Sequence, residues 1–296
     1  MAVIPEKFHS EPAVMPAAKR RLRITPDLVA GIIGAIFIIT LVLTAIFAAE
    51  IAPYDPTKRL GRPFQAPSQE HILGTNDIGQ DIFSELVFGT RISLMVGVVA
   101  AFVSITIGTL IGIVAGFCTT TVGRILMRFV DVVLTLPFLP MLILFAAYLG
   151  RSTMNTILVI GLLSWAGTAR IIRSRVICLT MVDYVKASRS VGANDFHIIF
   201  KHIFPQVMLL AMEQFINATS SAILLEASLS FLGLGDPLQK SWGSVLYWAQ
   251  VRGAFLSPAW KWWVLPPGLL IGMSSLGFAL LGFYIERIIN PRLNQT

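Results

Sequence analysis

Six stretches of this chain, residues 28–49, 92–117, 132–150, 152–169, 206–225 and 262–285, together contain one charged side chain, Glu213. An α-helix rises about 1.5 Å per residue, so about 20 apolar residues cross a hydrocarbon layer about 30 Å thick. No other feature narrows the possible folds as far. A backbone in lipid must satisfy its own polar groups, which helices do within one segment. The expected fold class is therefore all-α, a polytopic membrane protein with six transmembrane helices. Pro137 and Pro140 in the third stretch, and Pro266 and Pro267 in the sixth, remove backbone donors and predict kinks. Only 13% of residues are charged, against about 25% in a soluble domain.

The chain is basic, with a net charge of +7. Given the apolar runs, the excess reads as positive-inside bias and not as a nucleic-acid surface. With six spans and a cytoplasmic N-terminus, 15 Lys and Arg fall inside and 8 outside. Both termini are thus expected in the cytoplasm, with the chain in the cytoplasmic (inner) membrane. The layout is a tail over 1–26, a first span over 27–50, an extracytoplasmic loop over 51–91, a five-helix core over 92–286 and a tail over 287–296. The basic front of the first stretch (Lys19, Arg20, Arg21, Arg23) would also suit a signal peptide. Its apolar run is long for one, so a retained anchor is expected. Five tryptophans (Trp242, Trp248, Trp260, Trp262, Trp263) crowd the outer loop over 233–262 and predict contact with the headgroup layer. The segment 51–91 reads as an ordered loop with a short helix near 81–89.

One cytoplasmic segment stands out, "DYVKASRSVGANDFHIIFKHIFP", residues 183–205. At helical period Met181, Tyr184, Val185, Ser188 and Val191 share one face. Phe196, Ile199, Phe200 and Ile203 form a second apolar stripe. Gly192 allows a turn between them, Asn194 or Asp195 can cap the second helix, and Pro205 marks entry into the next span. Two short amphipathic helices with a bend are predicted. They could rest on the membrane or enter a groove on a soluble partner.

"KASRSVG" followed by "HIFP" resembles the EAA loop of importer-type ABC permeases. Lys186, Ala187 and Ser188 occupy the Glu-Ala-Ala triplet, Gly192 the glycine, and His202, Ile203, Phe204 and Pro205 the closing Ile-x-Leu-Pro region. "HILGTNDIGQDIFSELVFGTRISL", "MRFVDVVLTLP", "EASLSFLGLG" and "SWGSVL" extend the likeness over about residues 70 to 292. They are similar to the C-type permease subunit of dipeptide and oligopeptide importers. The resemblance implies a type I ABC importer permease fold and a second, homologous permease subunit. It implies two ABC ATPase subunits docked on the cytoplasmic loop, and an extracytoplasmic substrate-binding protein. The coupling residues it suggests are Asp183, Tyr184, Lys186, Ala187, Ser188, Arg189, Gly192, Ala193, Asp195, Phe196, Ile199, Phe200, His202 and Pro205. No cofactor is expected on this chain; ATP and Mg would sit on the ATPase subunits.

Ala100, Ser104, Gly108, Gly112 and Gly116 recur at every fourth residue, a spacing that lets helix backbones approach closely. Gly108, Gly112 and Gly116 could pack inside the subunit or against a partner permease. A charge at the bilayer centre costs roughly 2.5–3.5 kcal/mol, so Asp131, Glu213 and Glu226 are candidates for pathway roles. Asp131 could instead pair with Arg128 or Arg124 at the inner edge, and Glu213 could face a cavity or a partner helix.

The chain contains no G-x-x-x-x-G-K-[ST], H-E-x-x-H or G-x-S-x-G pattern, and Cys118 and Cys178 match no metal-ligand spacing. The expected function is a permease subunit moving di- or oligopeptides, without an ATPase site of its own. Nickel or an oligosaccharide as cargo stays open. A stand-alone secondary transporter would need inverted repeats, and no duplicated hydropathy is evident. An intramembrane enzyme would need a nucleophile–base or metal pair.

Overall fold

The computed structural model describes residues 26–118 and 120–289. The basic residues Lys7, Lys19, Arg20, Arg21, Arg23 and Arg292, on which the tail assignments rest, lie outside the described residues. Among the described residues there is no strand, only an isolated bridge between Thr75 and Asp81.

Helix α1 (Pro26–Ile46) and a short α2 (Ala48–Ile51) lead into the outer segment. The next helix, α3, runs unbroken over Ile82–Phe117, 36 residues. The expected short helix near 81–89 is thus the first two turns of the second span. Asp81 starts it: one carboxylate oxygen accepts from the Ser84 backbone N–H at 2.8 Å and the other from His71 at 2.9 Å. A side-chain acceptor at the N-cap satisfies a donor that the first turn leaves unpaired.

The third apolar stretch does not form one straight span. It divides between α4 (Thr121–Thr135) and α5 (Phe138–Leu149), which meet at 86° across Leu136 and Pro137. Proline forces the preceding residue out of helical conformation, and Leu136 is extended at ψ 138°. Among the described residues five helices are long and apolar enough to cross a membrane, and the bent pair makes a sixth span if counted as one. Helix α4 carries a polar stripe, Arg124, Arg128, Asp131 and Thr135, beside an exposed apolar one, Val122, Ile125, Phe129 and Val132.

Helix α6 (Thr153–Thr180) continues past the expected end at 169 through Arg170, Arg173 and Arg175. After α7 (Asp183–Ser190) comes α8 (Asp195–Ile198), a π-helical turn over Ile199–Ile203, and α9 (Phe204–Phe231). These last three make one continuous 37-residue segment. Pro205 therefore does not separate a loop helix from a span. It sits in the first turn of α9, where a missing N–H is tolerated. Helix α10 (Trp242–Val251) lies in the last outer loop, and α11 (Leu265–Ile289) closes the fold.

Helix α3 sits centrally, packed on α6 and α9, and α11 joins α9 to α1. The small-residue stripe explains how α3 and α6 come so close. A methyl group on Gly108, Gly112 or Gly116 would lie 2.7 Å from Thr168, Ile172 or Val176 Cβ respectively. All three glycines are buried against α6 inside this subunit.

The tryptophan-rich loop departs from expectation. Trp242 and Trp263 are fully buried, and of the five only Trp260 is exposed. The indole N–H of Trp242 donates to the Leu86 carbonyl at 3.2 Å. The loops over 51–81 and 233–262 fold onto each other as a cap, and large aromatics form its core. A buried indole contributes 150–250 Å² of apolar contact, so Trp242 and Trp263 hold the cap together instead of marking a lipid interface.

Candidate functional site

The knuckle over 183–205 is built from α7, the turn at Gly192 and the α8–α9 segment. Gly192 adopts φ +84° and has no heavy atom within 4 Å of where a Cβ would sit. It is glycine for its backbone conformation, not for lack of room. Its N–H donates to the Arg189 carbonyl at 3.1 Å, and the Ala193 N–H to Ser188 at 3.1 Å. The Asn194 side chain caps α8, accepting from the His197 backbone N–H at 2.7 Å.

One side of the knuckle is locked into the membrane domain. Val185, Ile198 and Ile203 are at most 1% exposed and join a core with Ile172, Val176 and Leu179 of α6 and Val207 of α9. Tyr184 bridges α7 to α9 through a hydrogen bond with the Gln206 side chain and a ring contact with His202 at 5.5 Å. The π-turn aligns residues five apart, so the His197 and His202 rings meet edge to face at 6.0 Å. The Arg189 guanidinium lies 5.5 Å over the Phe117 ring at the end of α3.

The other side is open. Phe196 is 73% exposed, Phe200 62% and Val191 86%. Met181, Tyr184, Ala187, Asp183, Lys186, Arg189 and Asp195 are exposed around them; Ser188 and Ala193 are half-buried. Ion pairs here are loose, 3.7 Å for Lys186–Asp183 and 3.9 Å for Arg189–Asp195. The face predicted from Met181, Tyr184, Val185, Ser188 and Val191 buries only Val185. The second predicted stripe splits: Ile203 is buried and Ile199 half-buried, while Phe196 and Phe200 face outward and Ile198 takes the core position. The extra residue in the π-turn shifts the helical register, which a regular period does not anticipate.

The three acids fall in different settings. Asp131 accepts from Arg170 of α6 at 2.6 Å, not from Arg128 or Arg124 of its own helix, and both partners are about half exposed. Glu226 is buried, with hydroxyls of Ser93 at 3.1 Å and Ser230 at 2.7 Å donating to it. It borders a void of about 10 Å³ beneath the outer cap. Glu213 is buried beside α11, within electrostatic range of Glu286. None of the three lines the larger cavity described next.

That cavity holds about 250 Å³ between the middle turns of α3, α6 and α9. Ser104, Ser164, Thr168, Gln214, Asn217 and Ser221 line it among alanines, Gly167, Ile160 and Ile171, and among the described residues no charged side chain does. Sequence reasoning read Ser104 only as a packing residue and missed the other five, because they lie inside apolar runs. Gln214, Asn217 and Ser221, at i, i+3 and i+7, were a legible polar face on the fifth span.

The outer cap is cross-braced. Lys240 of the last loop reaches Glu85 of α3 at 2.6 Å and Gln80 at 3.0 Å, and Asn76 donates to both acceptors. Arg252 pairs with Asp77 at 2.9 Å. On the exposed rim, Thr57 donates to Asp55 from its hydroxyl and its backbone, which holds that carboxyl below its ordinary pKa. Among the described residues no group of three or more His, Cys, Asp or Glu side chains is placed to hold a metal.

Residues 108–295 match the family described as binding-protein-dependent transport system inner membrane component. The chain is 33% identical over 268 residues to the glutathione transport system permease protein of Pectobacterium atrosepticum, covering 90% of this chain and 88% of that protein. It is 34% identical to the di/tripeptide transport system permease protein of Pseudomonas aeruginosa, covering 89% and 88%. It is 33% identical to the oligopeptide transport system permease protein of Bacillus subtilis, covering 90% and 86%.

Proposed function

This chain belongs to the family of binding-protein-dependent transport system inner membrane components, and on that premise we propose that it is the permease subunit of an ATP-driven importer of short peptides. The cargo follows from its likeness to permeases named for glutathione, di/tripeptide and oligopeptide transport. That likeness favours peptides over nickel or an oligosaccharide. In this reading the chain pairs with a second, homologous permease, and both termini lie in the cytoplasm. ATP and Mg are bound by two separate ATPase subunits, and a binding protein delivers cargo to the outer cap.

The observation that carries the mechanism is the two-sidedness of the knuckle. Val185, Ile198 and Ile203 fix it to the core of α6 and α9, while Val191, Phe196 and Phe200 project from it uncovered. Exposed apolar groups ringed by Asp183, Lys186, Arg189 and Asp195 suit a helix-in-groove contact with a soluble partner. Closure of the ATPase pair on ATP would press on α7 and α8. Because α8 continues through the π-turn into α9, the displacement would reach the spans and open the pathway outward. Hydrolysis would return it.

The test is Gly192→Pro. Proline cannot take φ +84° and lacks the N–H that Gly192 donates to Arg189. The variant should insert and assemble, hydrolyse ATP, and fail to couple that hydrolysis to peptide uptake. Normal uptake by this variant in proteoliposomes containing the whole complex would remove the knuckle from the mechanism.

A further inference from the structure

The six polar side chains around the 250 Å³ cavity are short of hydrogen-bond partners. The Ser104 hydroxyl is buried and has no hydrogen-bond partner. Among the described residues, the side chains of Ser164, Thr168, Gln214 and Asn217 also form no hydrogen bond, and Ser221 uses only its donor, to the Asn217 carbonyl at 3.0 Å. They lie in the middle turns of three membrane helices. At that depth lipid offers no hydrogen bonds, and an unsatisfied amide or hydroxyl costs several kcal/mol. Asn217 and Ser221 are exposed on this subunit, so the face they form needs polar groups from outside it: water, a partner helix or a polar ligand.

The chemistry of the lining selects the ligand. A primary amide presents a carbonyl acceptor and two N–H donors, and a hydroxyl presents both roles. A peptide group presents one of each. A charged cargo terminus would find no counter-ion here. The volume lies below the roughly 300–1,000 Å³ that encloses a drug-sized ligand, so the cavity holds part of a cargo at a time. We propose that Gln214 and Asn217, with the hydroxyls of Ser104, Ser164, Thr168 and Ser221, form a transit subsite that binds the peptide-bond amides of the cargo and ignores its side-chain charge. The inference rests on the permease reading above. Neutral hydrogen bonds suit transit because they are weak: each replaces hydration without trapping the cargo.

The experiment uses the complete complex in proteoliposomes with radiolabelled basic, neutral and acidic alanyl dipeptides. If the unaltered complex moves none of them with ATP, the peptide reading falls and this subsite with it. If it moves them, the double variant Gln214→Leu/Asn217→Leu tests the subsite alone. Uptake should fall about tenfold, by the same factor for all three charge classes, while ATP hydrolysis stimulated by the binding protein stays within about twofold. Unchanged uptake, or a loss confined to one charge class, overturns the proposal. Should the double variant not assemble, Ser221→Cys in a Cys118→Ser/Cys178→Ser background replaces it. A hydrophilic thiol reagent should modify that cysteine, about tenfold more slowly with dipeptide present during turnover. A cysteine that stays unmodified, as it would beneath a partner helix, or one indifferent to dipeptide, overturns the proposal equally.

Discussion

The Lys240 ammonium lies 2.6 Å from the Glu85 carboxylate, tying two segments of the cap 155 residues apart in the chain. Glu85 is almost wholly buried in the second span and Lys240 largely so. Asn76 and Gln80 complete the shell, so the carboxylate has charge and hydrogen-bond partners at once.

Lys240→Met should therefore be costly, because it strands a buried carboxylate. A loss of about 3 kcal/mol is expected, seen as a lower thermal midpoint of the purified chain in detergent. The double variant Lys240→Met/Glu85→Met should recover most of it. Equal midpoints for Lys240→Met and the unaltered chain would count against the brace.

At the α3–α6 contact, Gly112→Ala places a methyl 2.7 Å from Ile172 Cβ and 2.8 Å from the Ala169 carbonyl oxygen. Separating the helices should cost about 1–3 kcal/mol. Gly272→Ala on α11 meets nothing within 4 Å and should be neutral or slightly stabilising. Thermal midpoints measured side by side check the contrast.

Asn194→Ala removes the cap of α8 and should cost about 1 kcal/mol locally. Faster amide exchange should appear at His197 and the residues after it, with the middle of α9 unchanged. Protection equal to that of the unaltered chain would show that the core contacts of Ile198 hold the turn without the cap.

The knuckle is expected on the cytoplasmic side. Lys201→Cys, in a chain with Cys118 and Cys178 replaced by serine, should react with a membrane-impermeant maleimide in inverted vesicles and not in right-side-out ones. The reverse pattern would place the knuckle beyond any cytoplasmic partner.

The spans were legible because charge is excluded from lipid, and the runs ending at Phe117 and beginning near Gln206 needed no further information. Direction was only partly legible: Pro137 marks a kink, but hydropathy scores residues 132–150 as one span, whereas the chain breaks there into two helices that meet at 86°. The turn at Gly192 and the Asn194 cap could be read because both are local chemistry. The π-turn at Ile199–Ile203 could not, since a 3.6-residue period carries no sign of the extra residue that turns Phe196 and Phe200 outward. The Lys240–Glu85 brace and the burial of Trp242 and Trp263 depend on which distant loops meet. The cavity amides were overlooked because Gln214 and Asn217 lie in a stretch whose average is apolar.

The unbroken course from α8 into α9 makes a single shaft of 37 residues, about 55 Å long. Phe196, at its wet end, and Asn217, at mid-membrane, ride on it about 30 Å apart. A tilt of about 10° would sweep one past the other by roughly 5 Å, nearly a full helical pitch. On the proposed coupling role and transit subsite, both would ride on one lever, so altering the crank at Ile199–Ile203 should retune stroke and selectivity in the same variant.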